Sequence, residues 1–198
     1  MNIAVPLLAI DNLVVEIRSM PALRGFTMSV AKRVMVSLVG RNGAGKTTLM
    51  RAIMGHLAPA RGTVPFEGSD LALRPRHERA ALGIGYMPED RCLVPQLRVE
   101  ENIMLPLWVA KHLDRKARLH FVYEVIGELT EMRHRKALLL SGRQQKLVAL
   151  GRALAIGTKC LLLDEPFEGI APAIGAGFGG PGIPQWQGSD LADVAVGP

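Results

Sequence analysis

An α/β fold is predicted by three features of this 198-residue chain: a short valine-rich segment that runs into a Gly-rich loop, a helical pattern that starts where the loop ends, and a second apolar segment that closes on two acids. The loop is Gly40-Arg41-Asn42-Gly43-Ala44-Gly45-Lys46-Thr47, of the form G-x-x-x-x-G-K-[ST]. Its glycines let the backbone bend until successive N–H groups point inward. Lys46 can then reach the outer phosphates of a nucleotide, and the Thr47 hydroxyl is placed to hold a magnesium ion. A Gly-rich turn with a surface lysine would give the same letters, so the flanks decide. Val34 to Val39 is mostly apolar and reads as a buried strand. Leu49, Met50, Ile53, Met54 and Leu57 follow at helical spacing, with Gly55 late enough to fray the end. The loop therefore sits at a helix N-terminus, where free N–H groups and the helix dipole favour an anion.

Composition narrows the class. Apolar content of 48% with 21% charged residues is that of a globular protein, and the length suits one domain with subdomains. A net charge of +6 fits a nucleotide, a nucleic acid or an anionic membrane surface. The arginines are scattered and no basic strand carries stacking aromatics, which argues against nucleic acid. No apolar run has the length of a membrane span; Ile103 to Ala110 is interrupted by Pro106. The N-terminus has no basic stretch before its apolar residues and Asp11 comes early, so no signal peptide is expected and the location predicted is cytosolic. Cys92 and Cys160 form no metal-ligand pattern, and Cys160, inside an apolar run, reads as a small buried hydrophobe.

Taken in order, Leu7 to Ile17 and Leu23 to Val30 read as strands with Pro21 in their connection, and Thr63 to Glu67 as an extended piece that Pro65 confines to an edge. Together they predict a small antiparallel sheet beside the loop. Gly83 to Met87 is another short strand, ended by Pro88. From Val99 the pattern turns helical, with Glu100 and Glu101 at the positive end. Arg118 to Met132 carries one apolar stripe, Leu119, Val122, Ile126 and Leu129, of ordinary packing length. Ser141 with Gln144 three residues on is a capping box, starting a helix through Leu147, Leu150, Ala153 and Leu154 that stops near Gly157. Finally, Cys160 to Leu163 reads as a buried strand delivering Asp164 and Glu165 at its C-terminal end, where open α/β sheets bind ligands. Asp164 suits a magnesium ion held through water. Glu165 suits the orientation or deprotonation of an attacking water.

These motifs, in this order, resemble the ATP-binding subunit of an ABC transporter. Gly40 to Thr47 resembles Walker A, Leu140-Ser141-Gly142-Arg143-Gln144-Gln145 the LSGGQ signature, and Cys160 to Glu165 Walker B with its catalytic glutamate. Tyr86 to Arg91 and Val99 to Asn102 resemble the segment linking the core to a helical lobe. Its glutamate, Glu89, together with Gly151 to Leu154 and Asp164 to Gly169, is similar to the branched-chain amino-acid importer group. The resemblance implies a P-loop NTPase core of ABC type over residues 1–174, with an N-terminal antiparallel β-subdomain, a helical subdomain inserted at about 90–157 and the C-terminal part of the core missing. It implies ATP and Mg²⁺ as cofactors. ATP would be held by Gly40, Asn42, Gly43, Ala44, Gly45, Lys46, Thr47 and Thr48 and, in trans, by Ser141, Gly142 and Gln144; the metal by Thr47, Asp164 and Glu89; catalysis would rest on Glu165 and Lys46. The implied partners are a second ATP-binding subunit, identical or not, and transmembrane permease subunits, on the cytoplasmic face of the membrane.

Three departures stand beside that resemblance. Arg143 occupies the second glycine of the signature, where a side chain clashes or adds a cation and where glycine could have supplied a conformation arginine dislikes. Ile17 stands where relatives place an aromatic ring against adenine. From Gly169 onward there is no lysine, arginine or histidine, and glycine and proline recur, so residues 175–198 are expected to be poorly ordered. A frameshifted or truncated reading frame explains the abrupt change, and no switch histidine follows His134. Asp190 to Val196 can still form a strand. The readings are thus an importer ATPase or, alternatively, a degenerate module that binds ATP and hydrolyses little. A nucleic-acid ATPase of the same superfamily would show two linked ATP-binding halves.

Overall fold

The computed structural model describes residues 5–165 and 191–195. The described residues divide into two compact units, one of residues 5–79 with 191–195 and one of 80–165.

The first unit opens with a hairpin of β1 (Leu8–Ile17) and β2 (Met20–Val30). Arg18 and Ser19 both take left-handed φ, 50° and 65°, which gives a two-residue turn the twist the strands need. Pro21, expected in the connection, lies inside β2 opposite Glu16. It is tolerated because β2 is the edge of the sheet, whose order is β2, β1, β5 (Pro65–Phe66), β6 (Ser69–Asp70), with β4 (Arg61–Thr63) also on β1. Pro65 is not at an edge as expected. β5 meets β1 through Phe66 and Leu8 alone, while Pro65 faces Asp70, so the missing N–H leaves the β1 pairing intact. Leu8, Ile10, Leu13 and Val15 of β1 supply the buried face.

β3 (Met35–Val39) leads into the loop and α1 (Lys46–Ile53) follows it. β3 is half-buried rather than buried, with Val39 57% exposed. Among the described residues its one paired strand is β9 (Leu191–Ala195), parallel and in register from Met35↔Leu191 to Val39↔Ala195. That strand falls within the tail expected to be poorly ordered. For these five residues the strand pattern of Asp190 to Val196 is what forms; 166–190 lie outside the described residues.

After the short α2 (Glu78–Ala81), the second unit contains β7 (Ile84–Met87), α3 (Val99–Met104), α4 (Arg115–Val125), α5 (Glu128–Met132), α6 (Gly142–Ile156) and β8 (Cys160–Leu163). The single stripe read over Arg118 to Met132 is two helices. Ile126 leaves helical geometry at φ −125°, ψ 76°, and Gly127 starts the next turn. The pattern stayed continuous because Val122, Ile126 and Leu129 enter the same core across the break. α6 is buried almost throughout from Lys146 to Ile156. It approaches α4 and α5 closely at Gly151, where a Cβ would stand 2.8 Å from Leu129 Cδ1 and 3.1 Å from Val122 Cγ1. No helix among the described residues is long and apolar enough to cross a membrane.

Candidate functional site

The phosphate loop lies wholly in the first unit. Gly43 and Gly45 take φ of 85° and 92°, and Gly45 is the N-cap of α1, with no acid in the first turn to offset the helix dipole. A Cβ at Gly45 would stand 2.6 Å from Leu23 Cδ2 and 3.1 Å from Ala22 O, so only glycine lets the loop rest on β2. Lys46 Nζ donates to Gly40 O at 2.8 Å and Arg41 O at 3.2 Å, and Ala44 N donates to Arg41 O at 3.0 Å. The loop is thus already curled around the lysine head. Gly40, Ala44, Gly45, Lys46, Thr47 and Thr48 are half-buried, while Asn42 and Gly43 are exposed.

Behind the loop, α1 is closed by a residue that sequence reasoning missed. Arg79, 6% exposed, donates Nη1 to Ala52 O at 3.0 Å and to Ile53 O, and Nη2 to Leu71 O at 3.0 Å. A cation on the last carbonyls complements the negative end of the helix whose positive end carries the Gly-rich loop. Nothing in the local sequence around Arg79 distinguishes it from its neighbours Arg74 and Arg76.

In the second unit β7 and β8 are parallel, with Met87 opposite Leu163. Pro88-Glu89 and Asp164-Glu165 therefore leave the same end of one sheet, and Asp164 N donates to Met87 O at 2.9 Å. Asp164 is 2% exposed and its Oδ2 has no hydrogen-bond partner among the described residues. A buried carboxylate oxygen without a donor is a costly arrangement and is what a cation would satisfy, so the donor set fits magnesium, a hard ion that takes one or two carboxylates with phosphate oxygens. Glu165 is exposed at φ +49°, and Glu89 is exposed. Thr47, the third expected metal residue, belongs to the first unit. Cys160 starts β8, which is half-buried rather than buried except at Leu162, and desolvation still pushes its thiol up to about 12.

The signature turn has the capping box its spacing predicts. Gln144 N donates to Ser141 Oγ at 3.3 Å and Ser141 N to Gln144 Oε1 at 3.1 Å. Ser141 and Gly142 are exposed at the start of the helix. Arg143 is helical and takes no left-handed φ, so its backbone does not require glycine. Its guanidinium pairs with Glu128, Nη2 to Oε2 at 3.0 Å and Nη1 to Oε1 at 3.4 Å. Beneath the turn, Arg91 Nη1 donates to Gln145 Oε1 at 3.2 Å. Arg91 and Cys92 hold left-handed φ of 62° and 45°, and Arg152 donates to both their carbonyls. Asn102, fully buried, receives Val94 N and donates to the carbonyls of Val94, Leu97 and Arg98. The segment after Glu89 is thereby tied to α6 and α3. Asn102 is the residue of this group that the V-E-E-N motif could have flagged.

The geometry is that of a nucleotide-binding cassette, and residues 23–168 match the ABC transporter family. The chain belongs to this family. The lipopolysaccharide export ATP-binding protein LptB of Haemophilus influenzae is 35% identical over 168 residues, 84% of this chain and 70% of that protein. BraG of Pseudomonas aeruginosa, a high-affinity branched-chain amino acid transport ATP-binding protein, is 34% identical over 168 residues, 85% of this chain and 72% of its own. Among solved structures, a nucleotide-free ATP-binding cassette of an ABC transporter superposes with a TM-score of 0.69 at 30% identity, over 86% of this chain and 73% of that one. The ADP conformation of an ABC transporter cassette gives 0.70 at 27% identity, over 96% and 80%. At the position where ABC cassettes were expected to carry an adenine-facing aromatic ring, Ile17 is 42% exposed and pairs across the hairpin with Met20.

Proposed function

We propose that this ABC cassette is the ATP-binding and hydrolysing subunit of an importer for branched-chain amino acids or similar small solutes, working as a dimer against transmembrane permease subunits at the cytoplasmic face of the membrane. The observation that carries the ATPase reading is the phosphate loop, with Lys46 already seated on the Gly40 and Arg41 carbonyls at the start of α1. With ATP bound, Lys46 would exchange those carbonyls for phosphate oxygens, and the free N–H groups of the loop would donate to the remaining ones. Asp164, Thr47 and Glu89 are the residues that would hold magnesium, which would supply charge neutralisation on the phosphates. Glu165 holds or deprotonates the attacking water. The importer assignment rests on Glu89 and the Asp164-Glu165-Pro166-Phe167-Glu168-Gly169 run and on the similarity to BraG.

A second reading, a cassette that binds ATP and hydrolyses little, is favoured by Arg143 in the signature. Steady-state ATPase of the purified chain separates the two. Under the first reading wild type exceeds Glu165→Gln by about 10²-fold or more. Lys46→Ala lowers ATP affinity about ten- to a hundredfold, the equivalent of one charge-assisted contact. Wild-type activity equal to Glu165→Gln, with ATP still bound, leaves the second.

A further inference from the structure

We infer that Glu128 is a positioning residue that keeps the signature usable with an arginine in it, by folding the Arg143 guanidinium onto α5 and leaving the Ser141–Gly142 tip open for the partner's nucleotide. The inference rests on the proposed dimeric ATPase reading and adds a residue outside the motifs. Both terminal nitrogens of Arg143 are engaged, at 3.0 and 3.4 Å, by the two oxygens of Glu128. This forked geometry fixes the planar guanidinium in a way a single contact does not. Ser141 and Gly142 remain exposed beside it.

The charge balance explains why an acid is needed there. α6 has no acidic residue in its first turn, so Arg143 adds a cation to the positive end of a helix. A second cation is close by: both Nη atoms of Arg91 lie 3.8 Å from where a Cβ on Gly142 would be. Glu128 supplies from α5 the carboxylate that α6 lacks. It is the first residue of α5, where a negative charge is itself favoured, and the adjacent Leu129 is fully buried against Gly151 of α6. The acid is therefore held against the helix that needs it.

The test is ATP-dependent dimerisation of the full chain, read by light scattering in a Glu165→Gln background with MgATP. Affinity of the monomer for a fluorescent ATP analogue is measured separately, with Lys46→Ala as the blank. Glu128→Ala is expected to weaken dimerisation about three- to tenfold while leaving monomer affinity unchanged. Adding Arg143→Gly is expected to restore dimerisation, because without the arginine there is nothing to position. Glu128→Gln, which keeps the shape, should behave like alanine. Unchanged dimerisation in Glu128→Ala, no recovery in the double variant, or a parent that binds ATP yet never dimerises would each overturn the inference. Failure of the monomer to bind the analogue would instead sink the ATPase reading. In that event the pair is judged by melting: Glu128→Ala must lower the melting temperature and Arg143→Gly in that background must recover it, and equal melting points reject it.

Discussion

Lys46 holds two carbonyls of its own loop, and what makes that possible is the conformation of the two glycines just before it. Gly43 and Gly45 share a left-handed φ but not a neighbourhood: a Cβ on Gly43 meets nothing within 4 Å, whereas one on Gly45 meets Leu23 and Ala22. Gly43→Ala is expected to cost roughly 1 kcal/mol of backbone strain. Gly45→Ala adds overpacking, for roughly 3 kcal/mol in all, and loses nucleotide affinity as β2 pushes the loop out of shape. Denaturant unfolding and ATP titration of the two variants compare them directly, and equal effects would contradict the difference in packing. Asp164 offers the opposite case, a residue that burdens the fold in favour of the site. Its Oδ2 is buried without a hydrogen-bond partner among the described residues. Asp164→Asn is expected to stabilise the nucleotide-free protein by roughly 1 kcal/mol, about 2–4 °C in melting temperature, while abolishing the magnesium dependence of ATP binding. A destabilised variant with intact magnesium dependence would remove Asp164 from the metal site.

At the scale of elements, α1 carries the loop at one end and a crowd of cations at the other. Arg79 satisfies its last carbonyls, and His56 sits just beyond. A helix C-terminus ordinarily favours a charged histidine, yet the His56 imidazole is pushed below its ordinary 6.5, first by burial and then by Arg76, Arg51 and Arg79. The unfolded chain therefore takes up a proton that the folded one resists. Stability is full above pH 6.5 and falls as the pH drops through that value toward the lowered one. His56→Gln is expected to flatten this part of the stability profile, measured by urea unfolding between pH 7.5 and about 5; an unchanged slope would mean other groups set it. Elements also show what could be read in advance. The α6 start was legible because Ser141 and Gln144 hydrogen-bond each other within one turn. The break between α4 and α5 was not, because Val122, Ile126 and Leu129 keep one buried face whether or not the backbone stays helical between them.

For the molecule as a whole, the residues proposed to function divide between two units, with the Gly-rich loop in one and the acids and signature in the other. ATP that binds the folded chain alone stabilises it by mass action, about 2.7 kcal/mol at a hundredfold excess over Kd and roughly 5–10 °C in melting temperature. Differential scanning calorimetry with and without MgATP is expected to show that rise in wild type and none in Lys46→Ala. A rise retained in Lys46→Ala would place the nucleotide elsewhere. The sequence by itself determined the phosphate loop, the capped signature helix and the strand ending in Asp164-Glu165, because each is a run of contiguous residues whose hydrogen bonds and periodicity are local. Tertiary structure alone decided the rest: the register that brings Glu89 and Asp164 to one end of a sheet, the Arg79 clasp on α1 from 27 residues away, and the choice of Glu128, 15 residues before it, as partner for Arg143. Those pairings depend on which buried faces meet, and side chains far apart in the chain carry no local signal of the neighbours that packing gives them.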